Sequence, residues 1–325
     1  MLDLRAKRIL VTGGNGFLGR NVVARLREIG CREVHAPRRT ECDLTVAGHV
    51  EQLLTAIRPQ IVLHLAAQVG GIEANRRQPG TFFYSNLMMG ANLIEGSRRL
   101  GSVEKFLLTG TICCYPKFAP VPFREAELWN GYPEETNAPY GIAKKALIVQ
   151  LQAYRQEFGF PGVNVLPVNL YGPGDNFDLT TSHVIPALIR KFVEAGARGN
   201  PEVVIWGTGR PTREFLFVED AARAICLAAE RLESPDPVNI GTGHEIAIAD
   251  LAALIAEKTG YPGRLVFDAT KPDGQPRRQL DVTRARELLG FTAETPLAAG
   301  LDRTVAWYRA ECSSRPLAEP RHAAA

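Results

Sequence analysis

Two short segments of the chain carry side chains that could act together on a carbonyl group. Thr111 offers a hydroxyl, Cys113 offers a thiol, and Tyr140 and Lys144 offer a phenol and an ammonium group. Tyr140 and Lys144 are four residues apart, so on a helix they share one face, where the lysine charge can lower the phenol pKa and hold a cofactor ribose. These groups suit hydride transfer. A cysteine is not needed for that reaction, and it indicates a second activity in which a carbon acid loses and regains a proton.

The first glycines of the chain are spaced to hold a pyrophosphate. Residues 7–11 predict a short strand, and an apolar face between residues 22 and 29 predicts a helix. The GxxGxxG spacing between them is a weak signal alone, but its place after a strand and before a helix favours dinucleotide binding. A tight turn that requires glycine is the alternative. The predicted phosphate-binding residues are Gly13, Asn15, Gly16, Phe17, Leu18 and Gly19.

The residues after the second predicted strand indicate which dinucleotide binds. NAD enzymes often carry an acidic residue there for the ribose hydroxyls. This chain has Arg38 and Arg39 instead, which suit a 2′-phosphate and favour NADP(H) over NAD(H). A solvated surface turn is the alternative for this arginine pair.

Three further features are placed to contact the cofactor. Asp43 could bond the adenine amino group, although a turn or a cap is an equal alternative. Leu65, Ala66 and Ala67 end a predicted strand, where they would let the backbone lie against the cofactor or would simply pack well. His64 on the same strand is expected to be a core histidine and not a catalyst.

The alternation of strands and helices predicts the fold. Strands that alternate with helices indicate an α/β fold with a doubly wound parallel (Rossmann) sheet. After residue 173 the elements become shorter and richer in Pro and Gly, and a clear helix follows at about 247–259. We therefore expect an NADP-binding Rossmann domain in residues 1–170 with some later segments returning to it, a smaller α/β C-terminal lobe for the substrate mainly in residues 171–312, and a loosely held tail in residues 313–325.

Composition limits the classes of partner. Lys and Arg number 38 against 35 for Asp and Glu, so no basic face for nucleic acid is indicated. No apolar stretch is long enough to span a membrane, and no signal-peptide pattern is present at the N-terminus. The six cysteines form no CxxC pair, which argues against a zinc site or a disulfide framework. We expect a cytoplasmic protein with reduced thiols and no bound metal.

Several segments together carry a family resemblance that covers residues 9–291. The chain resembles the extended short-chain dehydrogenase/reductases and, within them, the GDP-L-fucose synthase family of GDP-4-keto-6-deoxymannose 3,5-epimerase/4-reductases. Generic sugar-nucleotide epimerases share the glycines and the Tyr140–Lys144 pair, but they usually lack this cysteine and the block at 182–188. The most specific segments are 69–72, 113–117, 169–173, 175–177, 182–188, 206–207, 213–215 and 271–274.

The resemblance implies a role for each chemical group. Thr111 occupies the position of the family's catalytic serine and would bond the substrate O4, while Tyr140 would give O4 its proton with Lys144 as its partner. Cys113 matches the family's epimerisation base and His183 its general acid. The structural alternatives are that such a cysteine is inert packing, as Cys114 could also be, and that His183 caps the helix expected at 184–192.

The resemblance also implies a substrate pocket. Arginine suits a diphosphate because its fork makes paired charge-assisted bonds, and the alternative for these residues is surface solvation. The expected reaction is NADPH-dependent 3,5-epimerisation and C4 reduction of a GDP-keto sugar in a homodimer. The alternatives are a GDP-L-colitose-type synthase, a 4-ketoreductase without epimerisation, or an epimerase with tightly held NAD. The residues implied to line the pocket are Asn169, His183, Lys191, Trp206, Arg213 and Arg278.

Overall fold

The computed structural model describes residues 1–271 and 273–314, without the side chains of residues 72, 73, 313 and 314. Residue 272 and most of the predicted tail, residues 315–325, lie outside the described residues. In chain order the elements are β1 (Ile9–Thr12), α1 (Phe17–Glu28), β2 (Val34–His35), α2 (Ala47–Ile57), β3 (Ile61–His64), α3 (Ile72–Arg77), α4 (Pro79–Leu100), β4 (Lys105–Thr109), α5 (Ala138–Phe158), β5 (Gly162–Pro167), β6 (Asn169–Tyr171), α6 (Val184–Arg198), β7 (Glu202–Trp206), β8 (Thr212–Phe217), α7 (Val218–Arg231), β9 (Pro237–Ile240), β10 (Glu245–Ala247), α8 (Ile248–Lys258), β11 (Arg264–Asp268), α9 (Thr283–Leu289) and α10 (Leu297–Ser314).

The larger sheet has six parallel strands in the order β2-β1-β3-β4-β5-β9. Every residue of β1, β3 and β4 is buried, which is typical of a parallel sheet covered on both faces. The predicted doubly wound α/β class is confirmed. The carboxyl ends of these strands meet at one edge, with Thr12 paired to His64, so the loops after them share one crevice.

Right-handed crossovers decide which face is covered by the helices that precede β5. The chain moves outward from β1 to β2 and then back across β1 to β3, so α1 lies on one face while α2, α4 and α5 lie on the other. Helix α7 packs on α1, and α4 packs on both α2 and α5. Within the described ranges, no helix combines the length and the apolar composition that crossing a bilayer requires.

A second, smaller core lies beyond the carboxyl edge of the larger sheet. Strand β8 pairs with β6 and β10, and β7 pairs with β11. The core beside them contains Tyr171, Phe192, Leu251, Ile255 and Leu301. The chain does not divide at one point, since α7 and β9 belong to the core of the larger sheet. Residues after 170 therefore supply both cores.

Capping residues decide where two of the helices begin or end. Helix α4 begins at Pro79, a residue suited to the first helical position. It ends before Gly101, which adopts a left-handed conformation. The helix predicted at 184–192 continues to Arg198 in the same way, ending before the left-handed Gly199.

Candidate active site

One cleft of about 1450 Å³ runs from the carboxyl edge of the larger sheet to the smaller core. Every residue predicted to bind or react lines it. The cofactor side contains Gly13, Asn15, Gly16, Phe17, Leu18, Gly19, Arg38, Arg39, Asp43, Leu65, Ala66 and Ala67. The other side contains Thr111, Cys113, Tyr140, Lys144, Asn169, His183, Lys191, Trp206, Arg213 and Arg278. Their shared location leaves their individual roles as predictions.

The glycine turn leaves no room for side chains. Gly13 has φ +73°, and a Cβ there would lie 2.7 Å from the Ala66 backbone nitrogen, while a Cβ on Gly19 would overlap the Gly13 carbonyl oxygen. Helix α1 begins after Gly16 with no acidic residue in its first turn, and within the described part of the chain no side chain caps it. Its first N–H groups therefore face the cleft, where a pyrophosphate would satisfy them.

The residues that follow β2 stand on an exposed loop at the same end of the cleft. Asn15 is tied to this loop because its Nδ2 donates to the Ala36 carbonyl at 2.8 Å. Hydrogen bonds from the Thr45 hydroxyl and backbone, followed by the Arg39 charge, lower the pKa of Asp43. The turn interpretation of Asp43 thus holds for one oxygen, Oδ1, which accepts both Thr45 bonds. Arg38 and Arg39 are exposed beside it, as a 2′-phosphate would require.

Helix α5 brings Tyr140 and Lys144 against the segment of Thr111 and Cys113. A glycine at position 141 allows the approach, since a Cβ there would overlap the Cys113 carbonyl oxygen. Lys144 is only 1% exposed and donates from Nζ to the Thr109 carbonyl at 3.0 Å. Burial lowers the pKa of Lys144 to about 8.

The expected lowering of the Tyr140 pKa by lysine is wrong. Burial, followed by the neighbouring thiols of Cys113 and Cys114, raises the pKa of Tyr140, and a hydrogen bond with Thr111 opposes this only in part. The lysine charge is directed to the Thr109 carbonyl. Tyr140 is therefore held as a protonated phenol, the form needed by a proton donor.

The two adjacent cysteines differ in environment. Cys114 is fully buried, and its Sγ donates to the Gly141 carbonyl at 3.4 Å. Burial raises the pKa of Cys114 to about 12. It is a packing residue. Cys113 is partly exposed to the cleft, and Nη1 of Arg278 lies 3.8 Å from its Sγ. A cationic donor thus faces the sulfur predicted to act as a base.

His183 lies directly before α6 and opens onto the cleft. Within the described residues its side chain makes no capping bond, so the helix-cap alternative is not seen. The residue is exposed on its cleft side, but the partial desolvation of its ring, followed by the Arg278 charge, lowers the pKa of His183. The imidazole is therefore neutral near pH 7 before a negatively charged substrate arrives.

The far end of the cleft has both cationic and aromatic groups. Lys191 donates from Nζ to the Val204 carbonyl at 3.0 Å and lies 5.9 Å from the centre of the Trp206 ring, which is 59% exposed. Asn169 donates to the Glu214 carbonyl at 3.0 Å. Burial, followed by the Arg278 charge, lowers the pKa of Arg213 to about 10. Surface solvation does not describe Arg278, which is 9% exposed.

Sequence reasoning gave no role to several polar residues of the cleft. Burial raises the pKa of Asp175 to about 7, and its Oδ2 finds no partner within the described residues. Glu134 accepts bonds from Thr136 and Asn137 just before α5, and Gln275 binds Arg278. Asp175 lies in one of the segments that carry the family resemblance, and Gln275 lies next to another. Their position in or beside these segments was the available signal for a role in the site. His64 is in the core as expected, with Nδ1 2.7 Å from the Thr12 hydroxyl.

Comparison with known proteins agrees with this geometry. The sequence profile of the NAD dependent epimerase/dehydratase family matches residues 9–241. A GDP-L-fucose synthase of Sinorhizobium fredii is 44% identical over 304 residues, covering 94% of this chain and 96% of the relative.

Two solved structures share the whole fold. A GDP-L-fucose synthetase from Naegleria fowleri bound to NADP superposes with a TM-score of 0.86 at 28% identity, over 97% of both chains. A GDP-6-OMe-4-keto-L-xylo-heptose reductase from C. jejuni has a TM-score of 0.88 at 27% identity, over 93% of this chain and 97% of that one. The chain therefore belongs to the NAD dependent epimerase/dehydratase family and, within it, to the GDP-L-fucose synthases.

Proposed function

We propose that this chain is an NADPH-dependent enzyme that epimerises GDP-4-keto-6-deoxymannose at C3 and C5 and then reduces C4, giving GDP-L-fucose. The observation that supports this most strongly is that Cys113 and His183 line the same cleft as Thr111, Tyr140 and Lys144. The first pair suits proton exchange at carbon and the second set suits carbonyl reduction. The relative named GDP-L-fucose synthase, which aligns over nearly the whole chain, supports the same product.

The cofactor side fits NADP(H). The close approach of Gly13 to Ala66, the uncapped start of α1 and the exposed arginine pair at 38 and 39 suit a pyrophosphate and a 2′-phosphate. When bound, NADPH supplies the hydride that C4 accepts. Lys144, close to the phenol and fully buried, is placed to hold the cofactor ribose.

Epimerisation uses the acidity that the C4 ketone gives to the protons on C3 and C5. The Cys113 thiolate removes such a proton, and the electron pair left on carbon moves to O4 as an enolate. His183, as imidazolium, returns a proton from the opposite face. Since the resting His183 is neutral, the negative charge of the diphosphate and of the enolate favours the protonated form when substrate binds.

Reduction uses the groups around O4. The Thr111 hydroxyl bonds O4, and the Tyr140 phenol donates its proton to O4 as hydride reaches C4. The charge of Lys144 then stabilises the phenolate that remains. The raised pKa of Tyr140 suits this role, because it keeps the proton on the phenol until charge develops on O4.

The test separates the two steps. In D₂O without NADPH, the wild type should place deuterium at C3 and C5 of the keto sugar, as read by NMR. Cys113→Ser should lose this exchange while still reducing a 4-keto substrate slowly, and Cys114→Ser, in the buried packing cysteine, is the matched control that keeps it. Failure of the wild type to incorporate deuterium at either carbon would overturn the epimerase assignment.

A 4-ketoreductase without epimerisation is the second candidate. The lowered pKa of His183 favours it, because a neutral imidazole is a poor acid, and the C. jejuni structural neighbour is a reductase. Reduction without deuterium incorporation would identify this activity. A GDP-L-colitose-type synthase would be distinguished by its substrate, and an epimerase with tightly held NAD by co-purifying nucleotide.

We also propose a homodimer in the cytoplasm, with the smaller lobe of residues 171–312 binding the nucleotide sugar. Exposed apolar side chains on the helix pair support self-association, namely Phe83 and Tyr84 on α4 and Val149 and Phe158 on α5. Light scattering should give twice the chain mass, and Tyr84→Glu should shift it toward one chain. A wild type that remains monomeric at micromolar concentration would contradict the dimer.

A further inference from the structure

A buried glutamine links the segment of Cys113 to Arg278. Gln275 is 5% exposed, and its Nε2 donates to the Lys117 carbonyl at 2.7 Å. Its Oε1 accepts a bond from Nε of Arg278 at 2.8 Å. The other side of the same guanidinium places Nη1 3.8 Å from the Cys113 Sγ. Lys117 is four residues after Cys113, so the contacts close a ring between two segments far apart in sequence.

We propose that Gln275 is a positioning residue for epimerisation, which holds the Arg278 guanidinium against Cys113 so that the sulfur is ready as a thiolate. Arg278 is then a catalytic residue that contacts the reacting sulfur, and its first role is not binding the substrate diphosphate. This inference rests on the proposed function, since it takes Cys113 as the base that removes a proton from carbon.

The chemistry of the amide suits this task. Gln275 orients Arg278 through a neutral oxygen, which leaves the positive charge of the guanidinium undiminished for the sulfur. A carboxylate at the same place would compete for that charge. Because one amide end accepts from Arg278 and the other donates to Lys117, neither end can rotate without losing a bond.

Other anchors hold the loop that carries these residues. The Asp273 carboxylate accepts bonds from the Thr208 backbone at 2.7 Å and the Thr208 hydroxyl at 2.8 Å. Gln279 donates from Nε2 to the Gly243 carbonyl at 2.6 Å. Neither bond reaches Arg278. Gln275 is thus distinguished from its loop neighbours by contact with the guanidinium, and Gln279 is a natural control.

Charged groups of both signs surround Cys113. Arg213 adds a second, half-buried cation, which interacts with Arg278, Asp273, Cys113 and Glu134. Burial opposes ionisation of Glu134, but hydrogen bonds from neighbouring residues and the Arg278 charge lower its pKa. Two carboxylates, Glu134 and Asp273, therefore lie near the two arginines. On α5, Tyr140 is a neutral phenol and the Lys144 ammonium is bound to the Thr109 carbonyl. Among these groups, the Arg278 guanidinium is the cation placed against the sulfur, with Nη1 at 3.8 Å.

His183 also interacts with the charge of Arg278. The Arg278 charge is the second cause, after burial, that lowers the pKa of His183. A shift of Arg278 away from Cys113 would thus alter both groups of the epimerisation pair. Reduction depends on Tyr140 and Lys144, whose hydrogen bonds do not include Gln275, so it should be affected less.

The experiment measures the reactivity of Cys113 with iodoacetamide as a function of pH, following the peptide of residues 106–117 by mass spectrometry. The plateau rate at alkaline pH reports access to the sulfur, while the ratio of the neutral rate to the plateau reports the thiolate fraction. The variants are Gln275→Met, the matched control Gln279→Met, and Arg278→Met with the charge-retaining Arg278→Lys. Methionine has a similar length and no amide.

We expect the ratio to fall about threefold to tenfold in Gln275→Met and tenfold or more in Arg278→Met, with partial recovery in Arg278→Lys and no change in Gln279→Met. Deuterium exchange at C3 and C5 should fall with the ratio, while NADPH oxidation with a 4-keto substrate changes less. Equal ratios in Gln275→Met and Gln279→Met would overturn the inference. A change in the plateau rate alone would also overturn it, because a purely structural role would produce that result.

The design remains decisive if one variant does not fold. Should Gln275→Met fail to fold, Gln275→Asn, shorter by one methylene, is expected to show the same fall in ratio, and an unchanged ratio there counts against the inference. Absence of deuterium exchange in the wild type would instead contradict the proposed function. The alkylation result needs no substrate, so the two failures are distinguishable.

Discussion

Replacing Gly141 with alanine tests whether close packing of α5 positions the active site. A Cβ at this position would overlap the Cys113 carbonyl oxygen and lie 3.1 Å from the Cys113 carbonyl carbon. Both atoms are backbone, so no side chain can rotate away. Either α5 or the segment of Thr111 and Cys113 must therefore move by about 1 Å.

The expected change in the free energy of unfolding follows from two opposing effects. Forcing a methyl group into a packed site costs about 1–3 kcal/mol, and contact with backbone favours the upper end. Alanine in a helix interior returns about 1 kcal/mol relative to glycine. We expect Gly141→Ala to lower the free energy of unfolding by about 2 kcal/mol. A displacement near 1 Å between Tyr140 and Thr111 should also lower the rate of reduction by about 10²-fold.

Gly48→Ala is the matched control. Gly48 also lies in a helix, α2, but a Cβ there meets nothing within 4 Å among the described residues. The same substitution should therefore stabilise the protein by about 0.5–1 kcal/mol and leave activity unchanged. Urea unfolding and NADPH oxidation measure the two effects. If Gly141→Ala is as stable and as active as Gly48→Ala, the reasoning about this contact is refuted.

Three other predictions address the chemistry directly. Tyr140→Phe removes the proton that reaches O4, so NADPH oxidation with the keto sugar should fall by roughly 10² to 10⁴, and near-normal oxidation would show that the mechanism is wrong. Replacing Arg38 and Arg39 with alanine should weaken NADPH binding, but not NADH binding, by about one to two orders of magnitude in calorimetry, and an equal loss for both would exclude reading of the 2′-phosphate. Because burial lowers the pKa of Lys144 to about 8, its charge is lost as pH rises through that value, so kcat/KM for reduction should fall above it, and a profile that stays flat well into the alkaline range would contradict this role.

Much of the dinucleotide side could be predicted from local sequence. The glycine spacing, the preceding strand and the following helix all lie within about one β-turn-α unit, where neighbouring residues in sequence are neighbours in space. Tyr140 and Lys144 share a face of α5 for the same reason. The alternation of strands with helices was enough to predict the parallel sheet, because the preference for right-handed crossovers leaves few other arrangements.

Tertiary structure decided the electrostatics and the long-range contacts. Arg278 meets Cys113 across 165 positions of sequence, and Gln275 meets Lys117 across 158, so no spacing rule could pair them. The raised pKa of Tyr140, opposite to the expected direction, and the lowered pKa of His183 both depend on burial in the folded cleft. Sequence determined which chemical groups the chain carries and the local elements that hold them. The fold alone determined their partners and protonation states, because desolvation and charge act through distances that only the packed chain sets.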